Sequence, residues 1–208
     1  MATDDARLWD RRGFFHSALR RAATPLANYL DRYLQSRPGA RTLLRPPGAL
    51  EEARFLETCQ SCASCVEACP AVAISLLEEA DHPGTGTPVI DADKAACVVC
   101  EGLQCTHVCP SGALQPVHEP ATIRMGLAEL YEPLCERTQG EPCTICVDRC
   151  PIGEAAISIH DYGPPRVSPT GCVGCGVCQL YCPTTPKAIV VIPVRDGGSA
   201  AARALRAP

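Results

Sequence analysis

The sequence predicts an α+β fold assembled from small repeated units, with a helical extension ahead of them. Sixteen cysteines fall into four runs, each closing on Cys-Pro, and none lies outside them. Short apolar segments with loose alternation stand between and after the runs, the pattern of strands rather than of long helices. The chain is 208 residues long and 46% hydrophobic but only 4% aromatic, so it is poor in the large side chains that dominate core burial. Bound inorganic groups would supply the missing stability. Their binding free energy becomes folding free energy when no site exists in the unfolded chain.

The first run places Cys59, Cys62, Cys65 and Cys69 before Pro70 and reads C-x2-C-x2-C-x3-C-P. This is the ligand spacing of bacterial [4Fe–4S] ferredoxins, whose fourth cysteine binds the neighbouring cluster in two-cluster proteins. The fourth run repeats the spacing at Cys172, Cys175, Cys178 and Cys182 before Pro183. The second, Cys97, Cys100, Cys105 and Cys109, carries two extra residues before its third cysteine. The third, Cys135, Cys143, Cys146 and Cys150, has a seven-residue loop, Glu136 to Pro142, between its first two cysteines. All sixteen are candidate ligands for four [4Fe–4S] clusters, held in tandem or nested two-cluster ferredoxin-like modules. A disulfide framework favours short secreted chains with irregular spacings. Structural zinc at the same cysteines, in an interaction protein, is the better rival, and the two irregular runs suit it best.

Three segments follow along the chain: a basic extension over residues 1–50, a cluster region over 51–195 and a small flexible tail over 196–208. Residues 1–50 hold nine arginines, no lysine and four aspartates, a net charge of +5, against −9 for the rest. Asp10-Arg11-Arg12-Gly13-Phe14-Phe15 looks like a twin-arginine start, but no uninterrupted apolar run follows it, as a working export signal requires. Phe15, Leu19, Ala22, Leu26, Leu30 and Tyr33 recur at helical steps, opposite a face with Arg20, Arg21 and Arg32. Such a basic amphipathic helix over residues 8–34 can lie on an anionic membrane, dock on a partner or pack on its own domain. No stretch is long and apolar enough to span a bilayer. The expected location is the cytoplasm or the periphery of the cytoplasmic membrane, with the periplasm as the alternative.

Arg45-Pro46-Pro47-Gly48-Ala49-Leu50 reads as a stiff linker, and residues 51–58 as a short helix leading to Cys59. Strands are expected at 73–76 and 89–93, at 123–131, at 156–160 and 166–168, and at 187–192, divided by Gly- and Pro-rich turns. His107 reads as a residue beside the ligands or in solvent, since four thiols already stand in its run, and His160 as a surface residue of an edge strand. Gly171, Gly174 and Gly176 suggest close backbone approach to inorganic sulfur.

The Arg-Pro-Pro-Gly-Ala-Leu element ahead of Phe55-Leu56, with four cluster motifs and a twin-arginine-like start, resembles a group of accessory ferredoxins. These accompany periplasmic nitrate reductase and methylamine utilisation systems. The resemblance implies electron transfer from a quinol-oxidising membrane partner towards a terminal acceptor. The second run, with Pro110-Ser111-Gly112-Ala113 after it, is also similar to a motif of four-cluster subunits of molybdenum oxidoreductases. That likeness and the matched outer runs favour nested pairing: Cys182 with the first run, Cys69 with the fourth, Cys150 with the second and Cys109 with the third. The alternative joins neighbouring runs.

No flavin or nucleotide fingerprint and no acid–base pair stands beside the runs, so an electron-transfer protein with redox partners is expected, not an enzyme. The acidic cysteine region, poor in aromatic residues, offers no surface for nucleic acid.

Overall fold

The computed structural model describes residues 43–194. The amphipathic helix expected over residues 8–34, the twin-arginine-like start and the tail lie outside them. Among the described residues no helix is long and apolar enough to cross a membrane.

The content is mixed, with short helices and small sheets. Helix α1 (Glu52–Thr58) buries one side chain, Phe55, and leads to Cys59. Single-turn helices then sit inside the cysteine runs: α2 (Ser64–Glu67), α3 (Gln104–His107), α4 (Ile145–Asp148) and α5 (Val177–Tyr181). They stop early because each run ends in Cys-Pro. The residue before proline is pushed out of the helical region, and proline has no N–H to continue the ladder.

The strands expected from alternation form in the expected order, cut short by the same turns. Strands β1 (Ser75–Leu76) and β2 (Pro88–Val89) pair antiparallel between the first and second runs. Strands β4 (Ile157–Ser158) and β5 (Arg166–Val167) do the same between the third and fourth. Long-range pairs close each half. In the first, Ala49 bridges Leu114, with Leu50 N–H donating to Ala113 at 3.0 Å and Gln115 N–H to Gly48 at 2.7 Å. In the second, β3 (Gly126–Leu130) pairs antiparallel with β6 (Ile189–Pro193), Gly126 opposite Pro193 and Leu130 opposite Ile189. Each half thus has one plan: a closing strand, a cysteine run, a hairpin, a second run and a returning strand.

The segment expected to be a linker is part of this plan. Leu43 to Pro47 are buried, and Ile90 N–H donates to Leu44 at 2.9 Å. The Arg45 side chain is 7% exposed; it forks onto Glu52 and donates to Thr87 Oγ1 and the Pro88 carbonyl, each at 2.8 Å. Its guanidinium lies 4.6 Å from the centre of the Phe55 ring. The two prolines stiffen a buried segment that turns through Pro47 and Gly48 into the Ala49 bridge, rather than a free spacer.

One core cluster runs through both halves. Phe55, Leu114, Ile123, Val173 and Ile189 are its fully buried large residues, and eight of the cysteines belong to it. The glycines of the fourth run serve this packing rather than sulfur alone. A Cβ on Gly174, at φ +73°, would penetrate the Gly126 backbone at the start of β3. Gly174→Ala is therefore expected to lower the thermal midpoint by about 5 °C or more, since backbone cannot yield as a side chain can. A midpoint within about 1 °C of the parent would contradict the packing.

Candidate iron–sulfur centres

All sixteen cysteines are free thiols. The fold draws them into four groups, each taking three from one run and one from its neighbour. In group 1, Cys65 lies within electrostatic reach of Cys59, Cys62 and Cys109. In group 2, Cys69, Cys97, Cys100 and Cys105 line one cavity with Ile74, Ile90 and Leu103. In group 3, Cys150, Cys172, Cys175 and Cys178 line another with Ile157, Val173 and Val191. In group 4, Cys135, Cys143, Cys146 and Cys182 line a third with Leu130, Ile145 and Ile189. Neighbouring runs are therefore joined, and the nested pairing is corrected. The hairpins β1–β2 and β4–β5 fold each run back against the next, whereas nesting would need the first run to reach the fourth.

The runs shape these groups by repeated local geometry. Ser61, Val99 and Gly174, each just before the second cysteine of its run, have φ of 50°, 50° and 73°. This left-handed turn wraps the first two ligands around one point. For Ser61 and Val99 it costs about 1–2 kcal/mol each, a strain held at the site. After the fourth cysteine a tight turn follows in three runs. Val72, Gly112 and Gly153 donate their N–H to the carbonyls of Cys69, Cys109 and Cys150 at 3.0, 3.4 and 3.1 Å. Proline supplies the second position of that turn with its fixed φ.

Beyond the turns, main-chain donors reach sulfur. Ala73 N–H lies 3.4 Å from Cys69 Sγ, Leu114 N–H 3.4 Å from Cys109 Sγ and Ala128 N–H 3.5 Å from Cys172 Sγ. Three hydroxyls, which the spacing argument did not single out, join them: Ser64 at 3.4 Å from Cys62, Ser111 at 3.6 Å from Cys109 and Thr184 at 3.2 Å from Cys182. The signal was present, since each hydroxyl stands two residues after its cysteine. His107 and His160 are exposed. His107 meets His118 edge to face at 5.8 Å, and His160 shares a hydrogen bond with Ser158.

Burial dominates the electrostatics of the thiols. It pushes Cys65 and Cys97 up to about 11, and Cys105, Cys146 and Cys175 up to about 12. Cys178 is raised well above the usual thiol range for the same reason. The exposed Cys62 is lowered by the Ser64 hydroxyl and backbone. At Cys109 burial acts upward, but the Leu114 N–H and the Ser111 hydroxyl together outweigh it and the thiol is lowered. Without a cation the buried thiols stay protonated at neutral pH, and metal binding must expel those protons.

Zinc requires four sulfurs about 2.3 Å from a single centre. Among the described residues no three His, Cys, Asp or Glu side chains are placed to hold one ion. In groups 2, 3 and 4 the thiols surround an apolar hollow instead. Thiolate donors around a dry space, with N–H groups aimed at sulfur, fit a cluster of iron and sulfide.

Comparison with known proteins agrees. The family described as "4Fe-4S dicluster domain" matches residues 58–113, the stretch holding the first two runs. The methylamine utilization ferredoxin-type protein MauM of Methylobacillus flagellatus is 37% identical over 196 residues, covering 88% of this chain and 84% of its own. The ferredoxin-type protein NapG of Escherichia coli is 35% identical over 200 residues, covering 88% and 86%. The chain belongs to the MauM and NapG family of ferredoxin-type proteins. MauM of Methylophilus methylotrophus is similar to the same degree, 37% over 196 residues. No solved structure matches. As a MauM/NapG-type protein the chain is an iron–sulfur, 4Fe-4S ferredoxin-type protein of electron transport.

Proposed function

We propose that the chain carries electrons through four [4Fe–4S] clusters, one in each cysteine group, arranged as two tandem two-cluster modules in residues 43–117 and 118–194. The observation that carries this reading is the gathering of sixteen thiols into four sets of four by two copies of one strand plan. The dicluster match over the first two runs supports it, since the same eight cysteines make groups 1 and 2. A [4Fe–4S] cluster takes up or releases one electron without making or breaking bonds in the protein. The residues around it do the rest. The thiolates hold it, Ala73, Leu114 and Ala128 offer N–H groups to sulfur, and Ile74, Val173 and Ile189 keep water out.

The chain has no active site of its own on this reading and works between redox partners. MauM is named for methylamine utilization, and a terminal oxidoreductase of that kind is the proposed acceptor. A quinol-oxidising membrane component is the proposed donor, reached by peripheral contact through residues 8–34. The proposed location is the cytoplasm or the cytoplasmic face of the membrane, with residues 1–50 as the anchoring extension and 196–208 as a tail.

Iron and acid-labile sulfide on protein purified without oxygen test the count. About sixteen of each per chain are expected from four cubanes, and zinc without sulfide would overturn the reading. Single ligand changes test the sets. Cys69→Ser is expected to remove the cluster of the second run and Cys109→Ser that of the first, read as separate losses in the EPR of the reduced protein. Damage by Cys69→Ser to the fourth run's cluster would refute the pairing.

A further inference from the structure

The two halves meet where groups 2 and 3 face each other. The Cys97 N–H donates to the Cys175 carbonyl at 3.0 Å, so a thiol-bearing residue of one half is hydrogen-bonded to one of the other. Small residues allow the approach. Gly176 has φ +89°, and a Cβ there would meet the Ala92 Cβ at 2.9 Å, with Ala96 close behind.

Beside this contact lies Gln179, a polar side chain only 3% exposed. Its Nε2 donates to Asp93 Oδ1 of the first half at 2.9 Å, and its Oε1 accepts the Val191 N–H of β6 at 2.7 Å. With a donor and an acceptor both used, the amide has one orientation. It clamps α5 between the closing sheet of its own half and the loop that leads to Cys97.

The other neighbours run in single file. Cys105 of group 2 feels Cys65 of group 1, Cys175 of group 3 feels Cys97 of group 2, and Cys178 of group 3 feels Cys146 of group 4. The order in space is thus groups 1, 2, 3 and 4, although group 4 begins earlier in the sequence than group 3.

We propose that electrons cross between the two halves at the Cys97–Cys175 peptide contact, and that Asp93 and Gln179 are positioning residues that hold this contact closed. This rests on the four-cluster reading. Electronic coupling decays more slowly along covalent bonds closed by a hydrogen bond than across an open gap. From Cys97 Sγ through its backbone to Cys175 Sγ the path is bonded throughout, apart from that one hydrogen bond.

The test uses the full chain, purified without oxygen, in three forms: parent, Gln179→Leu, and the exchange Gln179→Glu with Asp93→Asn. The exchange keeps a hydrogen bond across the seam with donor and acceptor reversed, and leaves a carboxylate oxygen for Val191. Each form is analysed for iron and sulfide, for the EPR splitting between the two inner clusters when fully reduced, and for redistribution of electrons between the halves after sub-stoichiometric reduction and freeze-quenching.

Gln179→Leu is expected to keep its iron, lose the inner splitting and redistribute electrons more slowly, while the exchange restores both. Unchanged splitting and redistribution in Gln179→Leu at full iron would overturn the proposal. Should Gln179→Leu lose iron, the exchange decides: recovery of splitting with iron supports the proposal, and recovery of iron without splitting, or of neither, overturns it. A parent protein without the four clusters would instead fail the functional reading, and the iron analysis reports that separately.

Discussion

Stripping iron and sulfide from the protein will unfold it. Its helices α2 to α5 are single turns, far below the length at which an isolated helix holds in water. Strands β1, β2, β4 and β5 have two residues each. Eight cysteines sit within the main core cluster, so emptying the sites hollows the core as well as releasing its ligands. Metal binding in small structural sites is worth about 10–16 kcal/mol, as much as the whole stability of an ordinary domain. Chelation under oxidising conditions should therefore abolish the cooperative thermal transition seen by circular dichroism. Retention of a transition within about 5 °C of the loaded protein would show that packing alone suffices.

The pH dependence of that stability has a definite sign. A metal-bound thiolate behaves as a group whose folded pKa lies below its unfolded value. Its stabilisation is present above the unfolded thiol range and is lost as pH falls. The loaded protein should thus be acid-labile. Burial by itself holds the thiols protonated, with Cys97 and Cys105 raised to about 11 and about 12, so loading must displace protons that a lower pH restores.

Arg45→Ala should be the most damaging substitution outside the cysteines. The side chain forks onto Glu52, donates to Thr87 and Pro88 and lies over Phe55, joining α1 to the β1–β2 hairpin. Its loss leaves the Glu52 carboxylate and the Pro88 carbonyl without these bonds in a largely buried place. Removing one member of such a pair costs about 3–5 kcal/mol, here towards the lower figure because Glu52 keeps 27% exposure. A fall of about 10 °C in the thermal midpoint follows for a chain of this size. Arg45→Lys should recover little of it, because an ammonium cannot serve the fork, the hydroxyl and the ring together. A change under about 2 °C would mean that Glu52 and Thr87 find other partners.

Most strands were legible, because short alternating segments are local signals, and thiol spacing marked the sixteen candidate ligands. The grouping was not. All four runs end alike, so Cys69 carries no mark that sends it to Cys97 rather than to Cys172. The choice is made by Ala49 meeting Leu114 and by β3 meeting β6, partners about sixty residues apart, on which the spacing rule is silent. Arg45-Pro46-Pro47 misled for a related reason. Prolines beside an arginine look like a solvated spacer until Glu52, seven residues on, and Thr87, beyond the first run, are brought against the guanidinium. Gly171, Gly174 and Gly176 were marked for close approach to sulfur, but for all three the neighbour is another stretch of chain: Ala155, Gly126 and Ala92.

The three hydroxyls set beside sulfur divide the row unevenly. Ser64 and Ser111 serve group 1, and Thr184 serves group 4, the two ends of the file. Cys62 at the first end is exposed, while Cys172, Cys175 and Cys178 near the middle are all buried. Donors and water stabilise added negative charge; dry surroundings oppose it. On the four-cluster reading, these hydroxyls raise the reduction potential of the two end clusters, while the Ala73 and Ala128 N–H groups act on the two middle ones, so each group in the row carries its own donor to sulfur.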